Sequence, residues 1–249
     1  MVINMFFRKK AILMIHGFVG GSYDFGNFHN ELQLYKKFDV FTYTLPAHDK
    51  TIVKDVKYKE WIDESIKQIE FLINNGYKEI YLIGHSMGGV IAAYLASIYP
   101  QIKKLVLAAP AFRYFYFKDG KVDIKSFNET IKNIPEIFKG TDTEQVISRI
   151  LKTPISTTIE FTKLVNHCQE CVNNINCPTL TIHGNNDLIV PTEATEYIYN
   201  SIKSTTNILV NIKKLNHECF TTQKSIEVKN TIKEFLIKKT KKKKEIINL

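Results

Sequence analysis

Apolar residues along this chain recur with two different periods, and the two periods alternate. Ala11–Ile15 is a short, all-apolar run ending at His16-Gly17, the pattern of a strand buried on both faces. Phe38–Thr44 is a second apolar and β-branched run. Tyr58–Asn75 then places Trp61, Ile62, Ile66, Ile69, Leu72 and Ile73 at helical spacing, with Gly76 as the stop. A strand over Glu79–Ile83, a helix over Met87–Tyr99 ahead of Pro100, and a strand over Lys103–Ala108 follow. The same beat returns late in the chain: strand Thr179–His183, helix Glu193–Ile202, strand Ile208–Ile212, helix Lys224–Lys238. Repeated β-α units with apolar strands predict an α/β fold, with a mostly parallel central sheet and helices on both faces.

The alternation breaks between Ala109 and Asn176. Helical pieces are expected at Ser126–Ile137, Thr143–Leu151 and Ile159–Val172, with no clear strand. Five aromatics crowd this stretch just after a strand: Phe112, Tyr114, Phe115, Tyr116 and Phe117. They are hard to bury locally, which points to a helical insertion over a pocket at the strand ends, where open α/β sheets bind ligands. The expected organisation is therefore a core of residues 1–111 and 177–237, a small helical cap insertion over 112–176, and a basic C-terminal tail over 238–249.

Composition narrows the class. Hydrophobic residues at 44% and charged residues at 24% exclude a disordered, collagen-like or disulfide-framework chain. The apolar runs fall far short of the ~18 residues of a membrane span. The net charge is +9, but residues 238–249 hold six lysines and one glutamate, which is +5 and leaves +4 for the other 237 residues. Such a block reads as a solvated tail, with weak contact to an anionic membrane surface as its sharper use. No aromatic interrupts the lysines to stack on bases, which argues against nucleic acid. His167-Cys168-x-x-Cys171 with Cys177 lacks the second half of a zinc site, so no metal is expected, and the four cysteines read as reduced thiols. The N-terminal residues lack signal-peptide character, which makes the expected location cytoplasmic.

Glycine marks where chemistry is expected. Gly17, Gly20 and Gly21 follow the first strand, and Gly84, Gly88 and Gly89 surround Ser86. Gly84-His85-Ser86-Met87-Gly88 between a strand and a helix is a Gly-x-Ser-x-Gly nucleophile elbow, a cramped turn that holds a serine above the sheet. A serine hydroxyl needs a base and a group to orient that base. In this architecture they follow in the order serine, acid, histidine. Asp187, just past the strand Thr179–His183, and His217, just past Ile208–Ile212, fall where that order requires. An oxyanion hole needs two backbone N–H groups, one after the nucleophile and one from the loop beyond an early strand. The amides of Met87 and Phe18 are the candidates, with His16, Gly17, Gly84, His85 and Gly88 supporting the loop and elbow. His85 and His183 read as packing residues, and His29, His48 and His167 have no partner pattern.

Together these segments resemble the α/β-hydrolases of the small bacterial carboxylesterase and monoacylglycerol lipase group. The resemblance rests on Leu13-Met14-Ile15-His16-Gly17-Phe18, Leu45-Pro46-Ala47-His48, the elbow, His183-Gly184-x-x-Asp187 and Asn216-His217, spanning residues 10–238. It implies hydrolysis of a small-molecule ester or lipid without a cofactor, by Ser86, Asp187 and His217, with the insertion capping an acyl pocket. The same triad would also serve a thioesterase, a peptidase or an acyltransferase; a non-catalytic binding module is the alternative of another class. Two positions depart from the group: Ala47 stands where relatives usually have glycine, and Asn216 where serine or glycine is common.

Overall fold

The computed structural model describes residues 10–49, 55–112, 117–118, 121–122, 149 and 152–249. The alternating apolar pattern becomes a seven-stranded sheet in which every neighbouring pair is parallel. Strand β1 is Lys10–Ile15, β2 Phe38–Thr42, β3 Ile80–His85 and β4 Ile102–Ala108. A short antiparallel hairpin, β5 (Phe117–Lys118) with β6 (Lys121–Val122), stands apart from it. Strands β7 (Thr179–Gly184), β8 (Thr206–Ile212) and β9 (Lys243–Asn248) complete the large sheet in the order β2-β1-β3-β4-β7-β8-β9.

Period-two alternation sends side chains of one strand into two separate cores. Ala11, Leu13 and Ile15 of β1 enter the core beneath helices α2 (Tyr58–Asn74), α3 (Met87–Ile98), α4 (Ile155–Cys168) and α5 (Thr192–Ser201). Ile12 and Met14 enter the other core, with α1 (Phe28–Gln33) and α6 (Ser225–Ile237). Both faces of the sheet are therefore apolar, as a doubly covered parallel sheet requires. Trp61 fills the first core with no exposed surface and satisfies its indole N–H on the carbonyl of Pro46 at 3.1 Å.

The order of strands reverses between β1 and β3. From β1 the chain steps outward to β2, then returns across β1 to begin β3 and continues the other way. At such a reversal the loops leaving the two central strands part, and a crevice opens at their carboxyl ends. The loop His16–Gly21 and the turn at Ser86 both lie there.

Two expectations are corrected. Residues 238–249 do not form a solvated tail: Lys243–Asn248 pair with β8 as the outermost strand. Lysine content hides a period-two pattern in which Ile247 packs against the second core while Ile246 faces outward. Bonds at both ends fix the register, from Lys243 N–H to Thr205 O at 2.9 Å and from Lys213 N–H to Leu249 O at 2.8 Å. The insertion also contains strand, the β5-β6 hairpin, where only helix is expected. Its third expected helix is α4, followed by a separate 3-10 turn at Glu170–Asn174 rather than a continuous run to Val172. The other two expected helices, and Tyr114, Phe115 and Tyr116, lie outside the described residues except at Arg149.

Deleting residues 241–249 is expected to lower Tm by about 5–10 °C, because it strips the ladder from β8 and uncovers part of the second core. Thermal unfolding of the truncated chain checks this; a free tail would leave Tm unchanged.

Candidate active site

The elbow is built by steric exclusion. Strand β3 ends at His85, helix α3 starts at Met87, and Ser86 between them takes φ +52° and ψ −118°. A left-handed φ at a non-glycine residue costs about 1–3 kcal/mol and persists only where the surroundings enforce it. The surroundings are backbone: a Cβ at Gly88 would lie 2.0 Å from the carbonyl oxygen of Ile15, and one at Gly84 2.3 Å from that of Gly88. Only glycine lets the first turn of α3 lie this close to the ends of β1 and β3.

The crossing brings Ser86, Asp187 and His217 together. His217 Nε2 lies 3.0 Å from Ser86 Oγ, and His217 Nδ1 lies 2.8 Å from Asp187 Oδ2. All three are buried, the Asp187 side chain completely. The second carboxylate oxygen of Asp187 accepts N–H groups from Ile189 and Val190, each at 2.9 Å. Burial pushes the Asp187 carboxyl upward, but the His217 imidazole and these two amides outweigh it and hold the group below its ordinary value. An ionised carboxylate at this place keeps the proton of His217 on Nδ1 and leaves Nε2 free to accept from the serine.

The loop after β1 is oriented by His16. Leu45 donates its N–H to His16 Nε2 at 3.0 Å, so the ring proton sits on Nδ1 and is donated to the Gly17 carbonyl at 2.9 Å. Burial lowers the His16 pKa, which keeps the ring neutral and able to play both parts. A trans peptide is planar with its C=O and N–H opposed, so fixing the Gly17 oxygen also fixes the Phe18 N–H. Met87 opens α3, where N–H groups have no intrahelical acceptor. The loop abuts the serine closely enough that a Cβ on Gly17 would lie 3.2 Å from Ser86 Cβ.

Further histidines are accounted for. His85 is buried as expected, yet it also bonds: its Nε2 meets the main-chain oxygen of His217 at 2.9 Å. His183 packs in the sheet, with its pKa lowered by burial. His48 lies against His16 and Trp61 and donates from Nδ1 to Pro46 O at 2.9 Å, and burial pushes its pKa down to about 4. The turn that carries it keeps a left-handed residue although glycine is missing: Ala47 adopts φ +64°. The sequence reading missed Asp24, whose carboxylate accepts the N–H of Gly17 at 3.0 Å. Its only trace in the sequence is the three-residue spacing from Gly21, which any turn aspartate shares. Among the described residues no three His, Cys, Asp or Glu side chains gather as metal ligands, and no helix is long and apolar enough to cross a membrane.

A family model described as the alpha/beta hydrolase fold matches residues 10–136, half of the chain. The chain belongs to the α/β-hydrolase family. A second model, described as serine aminopeptidase, S33, matches residues 133–224 of this α/β-hydrolase. A carboxylesterase of Bacillus subtilis is 26% identical over 207 residues, covering 78% of this chain and 79% of the relative. A thermostable monoacylglycerol lipase of a Bacillus species is 23% identical over 215 residues, covering 83% and 82%. The crystal structure of the Paleococcus ferrophilus monoacylglycerol lipase superimposes with a TM-score of 0.68 at 19% identity, covering 91% of this chain and 93% of the other.

Ala47→Gly is expected to stabilise this α/β-hydrolase by about 0.5–1 kcal/mol, because relief of the left-handed alanine exceeds the extra chain entropy of glycine. A rise of about 1–4 °C in Tm checks it; a fall would contradict the strain.

Proposed function

We propose that the chain is a serine hydrolase cleaving carboxylic esters, with short- to medium-chain acyl esters or monoacylglycerols as substrates. The observation that carries this reading is the unbroken contact chain from Ser86 Oγ through His217 to Asp187. Ser86 Oγ attacks the carbonyl carbon while His217 Nε2 takes its proton, and Asp187 stabilises the imidazolium that forms. The negative charge that develops on the carbonyl oxygen is met by the amides of Phe18 and Met87. His217 returns its proton to the departing alcohol, leaving an acyl group on Ser86. A water deprotonated by His217 then releases the acid and restores the serine.

The substrate class is supported by the apolar walls near the oxyanion loop and by the names of the two bacterial relatives. Phe161, from helix α4 of the insertion, stacks on Phe18 with ring centroids 5.2 Å apart, and Trp61 meets the same ring edge-on at 6.0 Å. Trp61 lies wholly buried behind that ring, so an acyl chain would meet only the narrow edges that Phe18 and Phe161 leave exposed, a gain of about 0.8 kcal/mol per methylene buried there. The match of residues 133–224 to a model named for an aminopeptidase favours a second reading, hydrolysis of a peptide amide by the same residues.

A fluorophosphonate probe is expected to label the protein on Ser86, and Ser86→Ala to abolish the labelling; persistent labelling would move the nucleophile elsewhere. Asp187→Asn is expected to lower kcat by about 10⁴, the loss that follows when the histidine tautomer is no longer held. Near-normal turnover would remove Asp187 from the site. Rates on nitrophenyl esters of graded chain length, acyl-thioesters and peptide anilides separate the readings: ester hydrolysis predominates if the proposal holds, and a faster peptide substrate overturns it.

A further inference from the structure

The turn after β1 buries a carboxylate that the reacting residues do not use. Asp24 lies in a 3-10 turn, Ser22–Phe25, with its side chain 9% exposed. Oδ2 accepts the N–H of Gly17 at 3.0 Å, and Oδ1 accepts that of Gly21 at 3.1 Å. The same Oδ2 lies 3.7 Å from Nδ1 of His85, a buried ring in the elbow. The opposite ring nitrogen, Nε2, reaches the main-chain oxygen of His217 at 2.9 Å. A single Asp-His pair therefore touches both the loop that presents the Phe18 amide and the backbone of the residue that acts as base.

The electrostatics agree with a charged pair. The groups facing the His85 ring are Asp24 from the turn, His16 from the end of β1, and Cys219 and His217 from the loop after β8. Burial opposes protonation of His85, but Asp24 and then Cys219 outweigh it, and the ring holds its proton well above the ordinary imidazole range. Burial likewise opposes ionisation of Asp24, yet His85 and the N–H of Gly17 keep its carboxyl below the usual value. A doubly protonated ring donates from Nε2 to the His217 carbonyl, while its Nδ1 faces the Asp24 carboxylate at 3.7 Å as an ion-pair contact rather than a hydrogen bond. A buried ion pair is seldom the most stabilising filling for such a space, since apolar groups of similar volume often do as well. Apolar groups could not accept two loop amides or hold the carbonyl of His217.

We propose that Asp24 is a positioning residue: by holding the Gly17 amide directly and the His217 backbone through His85, it sets the spacing between the oxyanion loop and the base. This rests on the hydrolase reading above. Asp24 touches no reacting atom in that scheme and acts through geometry, where a displacement of about 1 Å can cost about 10² in rate.

Two variants test it by different routes. Asp24→Asn removes the charge. Gly20→Ala keeps every charge but places a Cβ 2.1 Å from Asp24 Oδ2, so the carboxylate must move. Turnover is measured per Ser86 titrated with a fluorophosphonate, so that misfolded protein is not counted. Both variants are expected to lose about 10- to 100-fold in kcat and in labelling rate, with KM within about three-fold of the parent. Turnover per titrated site within two-fold of the parent, or a rise in KM at unchanged kcat, overturns the proposal. If Asp24→Asn yields no folded protein, Gly20→Ala decides alone. A parent protein that neither labels nor turns over esters would instead remove the hydrolase reading itself.

Discussion

The structure turns on one close approach, that of the first turn of helix α3 to the ends of strands β1 and β3. Backbone meets backbone there, with so little space that a methyl on Gly88 would sit 2.0 Å from a carbonyl oxygen of Ile15. Nothing softer than main chain lines the contact, so it cannot relax around a side chain. Ser86 is forced into a left-handed conformation, and the loop leaving β1 lies against it. The reversal of strand order at the same place opens the crevice, and the remaining strands carry Asp187 and His217 to its rim. The distances of 3.0 and 2.8 Å from Ser86 through His217 to Asp187 follow from that backbone packing rather than from local preferences of the three side chains.

Much of this is legible in the sequence. All-apolar runs marked the inner strands because both sheet faces are covered, and helical spacing with glycine or proline stops marked α2 and α3. The elbow was legible because glycine is the only residue that fits at positions 84 and 88. The order serine, acid, histidine was legible because each residue follows a strand. Strand β9 was hidden, since an edge strand needs only one inward apolar residue in two, and Ile246-Ile247 behind a run of lysines shows no alternation. The short helix α1 and the β5-β6 hairpin fall below the length at which periodicity can be read. Asp24 escaped because its function depends on meeting a glycine seven positions earlier and a histidine sixty-one positions later, and sequence carries no sign of such a meeting.

The histidines divide by electrostatics. His16, His48 and His183 are buried away from a balancing anion strong enough to offset desolvation, so each is held toward its neutral form. His85 is just as deeply buried, but it faces Asp24. A neutral imidazole can accept and donate at once, which is what His16 does between Leu45 and Gly17. A charged one can only donate, which suits a ring placed between a carboxylate and a carbonyl. Burial sets the default, and how strongly a neighbouring carboxylate acts on the ring decides the outcome.

Among the described residues strand β9 has no outer neighbour; it opens with Lys243 and Lys244, and Lys238, Lys239, Lys241 and Lys242 stand just before it. A second copy approaching this edge would bring its own six lysines of residues 238–244 toward these six, against one Glu245 from each copy, a repulsion that discourages extension of the sheet into a filament. That protection is electrostatic and therefore screened: at physiological ionic strength it reaches only about 8 Å, and at 1 M about 3 Å. Colloidal behaviour thus becomes a function of salt, set by a part of the molecule remote from its chemistry.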